Sequence, residues 1–175
     1  MTIARSIPTR ITEAVYTLLF NDADLIAAMG GDTSRIRLAH AVMPESSIAA
    51  PQINVALVPL VGWDYRLGSV SDLTVPVRVT YWVALTALRG GSLDLGEGQP
   101  IDTLWHIIKL IEASGTNQGR LEDPDAAVGA DGVDKWLNHV MQTPQWGVDQ
   151  RAQSAVGFYI DLVFESRQSI SGTRA

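Results

Sequence analysis

The chain has 175 residues, with 13 Lys plus Arg against 19 Asp plus Glu and 0 cysteines. That length suits one domain burying roughly 70% of the surface its unfolded form exposes, and the missing thiols exclude disulfides and thiolate metal sites. A formal charge of −6 opposes broad contact with phosphate backbones, and 46% hydrophobic against 18% charged residues is too apolar for disorder and leans toward an oligomer.

The first residues, Met1 to Ser6, carry no apolar run after their positive charge, so no signal peptide is expected. The longest apolar stretch, Val55 to Val61, falls far short of the roughly 18 residues of a membrane span. Cytosolic synthesis and solubility are the expectation.

The clearest helix comes first. Ile11, Ala14, Val15, Leu18 and Leu19 recur at helical spacing opposite Arg10, Glu13 and Thr17. Pro8 suits its first turn, and Ser6 or Thr9 can cap it. Asp22 caps a short second helix with Leu25, Ile26 and Met29, ended by Gly30-Gly31. Arg35 to His40 alternates charged and apolar residues, a short strand with Ile36 and Leu38 inward. Gln52 to Leu57 puts Ile53, Val55 and Leu57 on one face, and Pro59 then marks an edge, a bulge or the end of pairing. Gly62 to Asp72 reads as a long hairpin tip projecting from the body, carrying aromatic Trp63 and Tyr65 that a solvated turn does not require.

Around the next stretch the rest of the chain is organised. Val75, Val77, Val79, Tyr81 and Val83 alternate with Thr74, Arg78 and Thr80, the period of a half-buried strand. Pro76 removes a ladder donor, so full pairing is expected from Val77 onward or an edge position before it. A glycine-rich connection, Arg89 to Gln99, leads into a helix from Ile101 to Glu112, whose apolar positions 101, 104, 105, 107, 108, 110 and 111 predict cover on more than one side. From 113 to 152 the signal weakens: Asp123-Pro124-Asp125 reads as a turn, and 133–141 fits a short helix or strand. Val156, Phe158, Ile160, Leu162 and Phe164 form a closing strand. The expected fold is α+β, a mixed, mainly antiparallel sheet of about four strands with helices packed on one face. Residues 1–166 form a single domain with a long irregular segment at 113–152, and 167–175 a flexible tail.

Chemical signatures are thin. The glycine-rich connection lacks the Walker lysine, because Gly91 and Gly96 are followed by Glu97, and Ile101 stands where a dinucleotide fingerprint needs a third glycine. His40, His106 and His139 have no metal-type partner at i+4, and His106 is placed at the polar margin of its helix. Asp123, Asp125, Asp131 and Asp134 lack the calcium-loop order, with Ala127 at the third ligand position, and read as a solvated acidic loop. Gly68-Ser69-Val70-Ser71 is not a nucleophile elbow. No enzymatic activity, catalytic residue, cofactor or metal is expected.

The outward face of the sheet carries more. Trp82 shares parity with Arg78 and Thr80, and Tyr159 and Val163 share parity with Asp161 and Glu165. One reading is a second small cluster beneath the 116–151 segment. The other is a subunit interface, where aromatic and Arg side chains are enriched; it predicts that Trp82→Asp leaves the fold soluble and abolishes assembly.

The order of these pieces resembles the tail-terminator or tail-completion proteins of long-tailed bacteriophages. It is carried by the Ile11 to Phe20 helix, the turn from Asp22 to Gly30-Gly31, the strand Arg35-Ile36-Arg37-Leu38, and the proline-started strand Ala50-Pro51-Gln52-Ile53-Asn54-Val55. The strand Val77 to Val83 with its aromatics, the Ile101 to Ile111 helix and the closing Val156 to Phe164 strand complete it. The 113–152 segment is longer than that family's pattern.

What the resemblance implies is a structural virion protein of the phage neck, assembled in the host cytoplasm. Its homo-oligomeric ring, a hexamer, caps the head-proximal end of the tail tube, ends tube polymerisation and joins tail to head. The implied partners are further copies of the chain, the tail tube protein and head-completion or neck proteins, with no membrane contact and DNA only in passage through the lumen. Contact candidates are Trp63, Tyr65 and Arg66 on the expected tip, and Trp82, Tyr159 and Val163 on the sheet. The alternatives are another neck or minor tail component of head-closure type, or a cytosolic ligand-binding or enzymatic domain using the cleft between the Ile101 helix and the Arg89 to Gln99 loop.

Overall fold

A computed structural model describes residues 5–39, 48–58, 62–65, 70–84, 100–117, 119–126, 137, 139–149 and 154–169, with backbone alone at 62–65, 70–72, 116–117, 149 and 167–169. The helices are α1 (Ile7–Phe20), α2 (Ala23–Ala28) and α3 (Pro100–Asn117). The strands are β1 (Ile36–Ala39), β2 (Gln52–Leu57), β3 (Gly62–Tyr65), β4 (Val70–Ala84), β5 (Val140–Met141), β6 (Gln145–Asp149) and β7 (Ala155–Ser169).

Local signals set the helix ends. Ser6 Oγ accepts from the Thr9 amide at the start of α1, and Asp22 Oδ1 accepts from the Leu25 amide at 2.9 Å at the start of α2. Gly30 and Gly31, at φ 72° and 80°, close α2 in a conformation costly for other residues.

The described strands form one seven-stranded sheet in the order β1-β2-β4-β7-β5, with β3 beside β4 and β6 beside β7. Only β1 and β2 pair in parallel. The sheet is α+β as expected, with more strands than the expected four because three short ones flank the long pair. β4 and β7 pair antiparallel along their whole length, Val70 facing Ser169 and Ala84 facing Ala155. At about 3.4 Å per residue this ribbon runs on the order of 50 Å. Strand β7 thus continues through Ser169, past the expected boundary at 166.

Pro76 does not interrupt the ribbon, contrary to the expectation of partial pairing. In an antiparallel strand the N and C=O of one residue point to the same side, and the Pro76 carbonyl accepts from the Val58 amide at 3.0 Å. The missing donor therefore faces away from β7. On that side the register changes: Leu57 faces Val77, whereas Gly62 faces Thr74. A shift of register tolerates an absent donor there.

Both long helices cover one face of the sheet, α1 over β1, β2 and β4, and α3 over β4 and β7. The core between them is aliphatic: Ile11, Val15 and Leu19 of α1, Leu104, Ile107, Ile108 and Ile111 of α3, and Val55, Val77, Val79, Ile160, Leu162 and Phe164 of the sheet. The wide apolar stripe of α3 is only partly used. Ile101 and Trp105 are 56% and 53% exposed, which corrects the expectation that they are covered. They form an outward stripe with Lys109, whose ammonium lies over the Trp105 ring.

The 119–149 segment is anchored at several points. Asp123 accepts from Arg10 Nε at 2.9 Å, and Asp125 pairs with Arg5 at 2.6 Å, so this turn is tied to α1 and is not a free acidic loop. Leu121 and Leu137 enter the core, and the Leu137 amide donates to the Leu121 carbonyl. No helix among the described residues is long and apolar enough to cross a membrane.

Candidate functional surfaces

Register decides what the helix-free face of the sheet presents. Across β2, β4 and β7 the rows read Gln52–Trp82–Gly157, Asn54–Thr80–Tyr159 and Ala56–Arg78–Asp161. Although no described helix lies over it, this face is largely closed: Gln52, Asn54, Ala56, Thr80 and Trp82 are all buried.

At one end the closure is a polar network under a short lid. Ile48 and Ala50 pack on Trp82 and Ala155. We orient the Asn54 carboxamide by its partners: Oδ1 accepts from Trp82 Nε1 at 2.9 Å and from Gln52 Nε2 at 3.2 Å. Gln52 Oε1 accepts from the Ala49 amide at 2.9 Å, tying the lid to the sheet. The Trp82 ring lies over Gly157, where an added Cβ would stand 3.0 Å from it.

Farther along, Arg78 donates through Nε and a terminal nitrogen to the two carboxylate oxygens of Asp161, at 2.7 and 2.8 Å. Its guanidinium sits 3.9 Å from the Tyr159 ring centroid, a cation–π stack. Tyr159 also lies against Gly147 of β6, where an added Cβ would run into the far end of the ring.

These positions sort the sequence-derived contact candidates. Trp82 is 5% exposed and saturated within its own chain, so it is withdrawn as a contact. The small-cluster reading of this face fits its burial, and among the described residues Ile48 and Ala50 supply cover over Trp82. Tyr159 and Val163 are half-buried on the same face. The backbone of Trp63 and Tyr65 lies in β3, paired antiparallel with Leu73 and Ser71 of β4, so both stand on one arm of a hairpin, as expected for this stretch. Arg66 lies outside the described residues, as do the Arg89 to Gln99 connection, His40, Asp131 and Asp134.

The exposed large apolar side chains lie elsewhere. Among the described residues they are, besides Ile101 and Trp105, Leu38 on β1, Val140 on β5, and Trp146 and Val148 on β6. The last four stand on the outermost strands at the two ends of the sheet.

Against known proteins the result is short: no protein-family model and no curated sequence matches the chain.

One cluster of chemical groups escaped the sequence reading. Asp22, Asp24 and His106 bring ligand-type atoms within 4.8 Å of one another. Asp24, Asp102 and His106 line an open cleft of about 640 Å³ between α2 and the start of α3. Asp22 Oδ1 is already engaged by the Leu25 amide and lies 3.0 Å from His106 Nε2, so the contact fastens α3 to the cap of α2. Eighty-four positions separate the partners, and no local pattern signals their meeting. His139, by contrast, is buried, each ring nitrogen 3.0 Å from a backbone carbonyl, of Leu137 and of Gly119.

Proposed function

We propose that this chain is a structural subunit of the neck of a long-tailed phage, forming a ring of identical copies on the head-proximal end of the tail tube. The observation that carries the reading is the placement of exposed apolar surface. Leu38 marks one end of the sheet, and Val140, Trp146 and Val148 the other. Two unlike sticky ends on one subunit favour head-to-tail contacts, which close into a ring when the rotation permits. The α+β element order that resembles the tail-terminator family is compatible with this reading.

In the ring, one face matches the last ring of the tube while the other offers no template for a further tube subunit, so growth stops by geometry. The assignment gives the chain no catalytic step and no cofactor. Its partners are its own copies, the tube protein and head-completion proteins, and its location is the virion. Native mass spectrometry and negative-stain imaging of the purified protein test this. A closed ring with a lumen is expected; a stable 18.9 kDa monomer at high concentration overturns the reading.

A further inference from the structure

We infer that subunits join by extending the sheet itself, with β1 of one copy pairing antiparallel to β6 of the next. This rests on the ring reading and names the surface that builds the ring. β1 and β6 are outermost strands, and among the described residues neither has a strand on its outer side. Monomeric proteins blunt such edges with proline or with charges pointing inward. Here the helix-side positions are apolar.

Strand direction fits. β1 runs parallel to β2, β2 antiparallel to β4, β4 to β7, and β7 to β6. It follows that β1 and β6 run in opposite senses within one subunit. A second copy displaced sideways without being turned over brings its β6 antiparallel to the first copy's β1, in ordinary hydrogen-bonding geometry.

Side-chain chemistry fits on both faces. Leu38 shares a register row with Val55, and Trp146 and Val148 with Ile160 and Phe158, so all three lie on the helix side. They are 48%, 44% and 51% exposed, and the junction would cover them together. On the other face β1 presents Arg37, level with Asn54, while β6 has Gln145 and, opposite Gly157, the register position of Asp149. Residues 139–149 contain no Lys or Arg. The arginine of β1 therefore meets a strand whose sequence carries a carboxylate and no cation. Symmetric alternatives do worse: β1 against β1 sets Arg37 beside Arg37, and β6 against β6 leaves Leu38 uncovered.

The absence of native cysteine makes the test unambiguous. Leu38→Cys, Val148→Cys and the double variant are treated with a short bis-maleimide, and native masses are taken in parallel. The double variant is expected to give a ladder of covalent multimers, each single variant no product, and a mixture of the two singles only dimers. Arg37→Glu should weaken assembly by about tenfold, with recovery on adding Asp149→Arg. A dimer from either single variant, or assembly unchanged in Arg37→Glu, overturns the pairing. An oligomer that forms without a ladder, and that Trp105→Glu dissolves, also overturns it while leaving the ring intact. A monomeric wild-type protein removes both.

Discussion

The two faces of the β4–β7 ribbon are buried by different means. On the helix side Val75, Val77 and Val79 pair with Phe164, Leu162 and Ile160, and helices interdigitate with them. On the other side Arg78, Thr80 and Trp82 pair with Asp161, Tyr159 and Gly157, with no described helix above. That face closes by laying aromatic rings flat over glycines and by satisfying polar groups along the sheet. The lesson is that much of a sheet face can be closed by its own side chains and one short segment. Surface left for partners is then found at the edges and on the outward stripe of α3.

The sharpest way to break this contrast is to truncate one residue on each side. Phe164→Ala, at a 0% exposed position, should cost about 3–5 kcal/mol and lower the thermal midpoint by roughly 10 °C. Trp82→Phe loses the hydrogen bond to Asn54 and the outer indole edge over Gly157, so about 1–3 kcal/mol is expected. Denaturant melts of both report the ratio. Trp82→Asp, which the sequence alone marks as an assembly variant, should instead unfold the chain, because it buries a carboxylate among groups already paired.

Smaller, and specific to the outer face, is the Arg78–Asp161 pair, with side chains 27% and 20% exposed. Each single change, Arg78→Met or Asp161→Leu, should cost about 1–3 kcal/mol, since it strands a partly buried charge. The double variant should recover about 1 kcal/mol of that sum. Arg78→Lys should not substitute, lacking the planar fork that grips both oxygens and stacks on Tyr159. A double-mutant cycle with no coupling would reduce this cluster to surface decoration.

Much of this architecture is legible in the sequence where the signal is local. The α1 stripe, the Asp22 cap, β1, β2 and the alternation in β4 and β7 stand where spacing puts them, except that Leu38, expected inward, is left 48% exposed at the sheet edge. What fails is what depends on a distant partner. β5 is two residues long and β6 has Gly147 at its centre, so neither carries a strand signal of its own; β7 supplies the template. Parity correctly put Trp82 on the helix-free side, but its cover, Ile48 and Ala50, comes from a connection whose course no periodicity encodes. The same holds for candidate sites: Asp22 is readable as a cap, whereas its meeting with His106 is tertiary. In α3, Ile101 and Trp105 extend an apolar stripe that the monomer does not fill.

The smallest expected effect concerns an ionisable ring beside the helix-side core. His139 is 9% exposed and lies edge-on to Phe164 with centroids 5.2 Å apart. Burial holds its pKa below the ordinary histidine value against the pull of the Gly119 and Leu137 carbonyls, and the Arg120 charge adds a smaller push in the same direction as burial. The unfolded histidine titrates near pH 6.5, roughly. Between that value and the lower folded one, the unfolded chain binds the extra proton. The stability contributed by neutral His139 is therefore complete above about pH 6.5 and is lost as pH falls through the folded pKa. Urea midpoints from pH 7.5 to 5 should decline more steeply in the wild type than in His139→Gln, which keeps a donor for one carbonyl and cannot titrate. Because every other ionisable group is common to the two proteins, the difference between the two curves isolates His139. A wild type that gains stability relative to His139→Gln on acidification would mean that the two carbonyls outweigh burial, and that the ring clamps the 119–139 segment as an imidazolium.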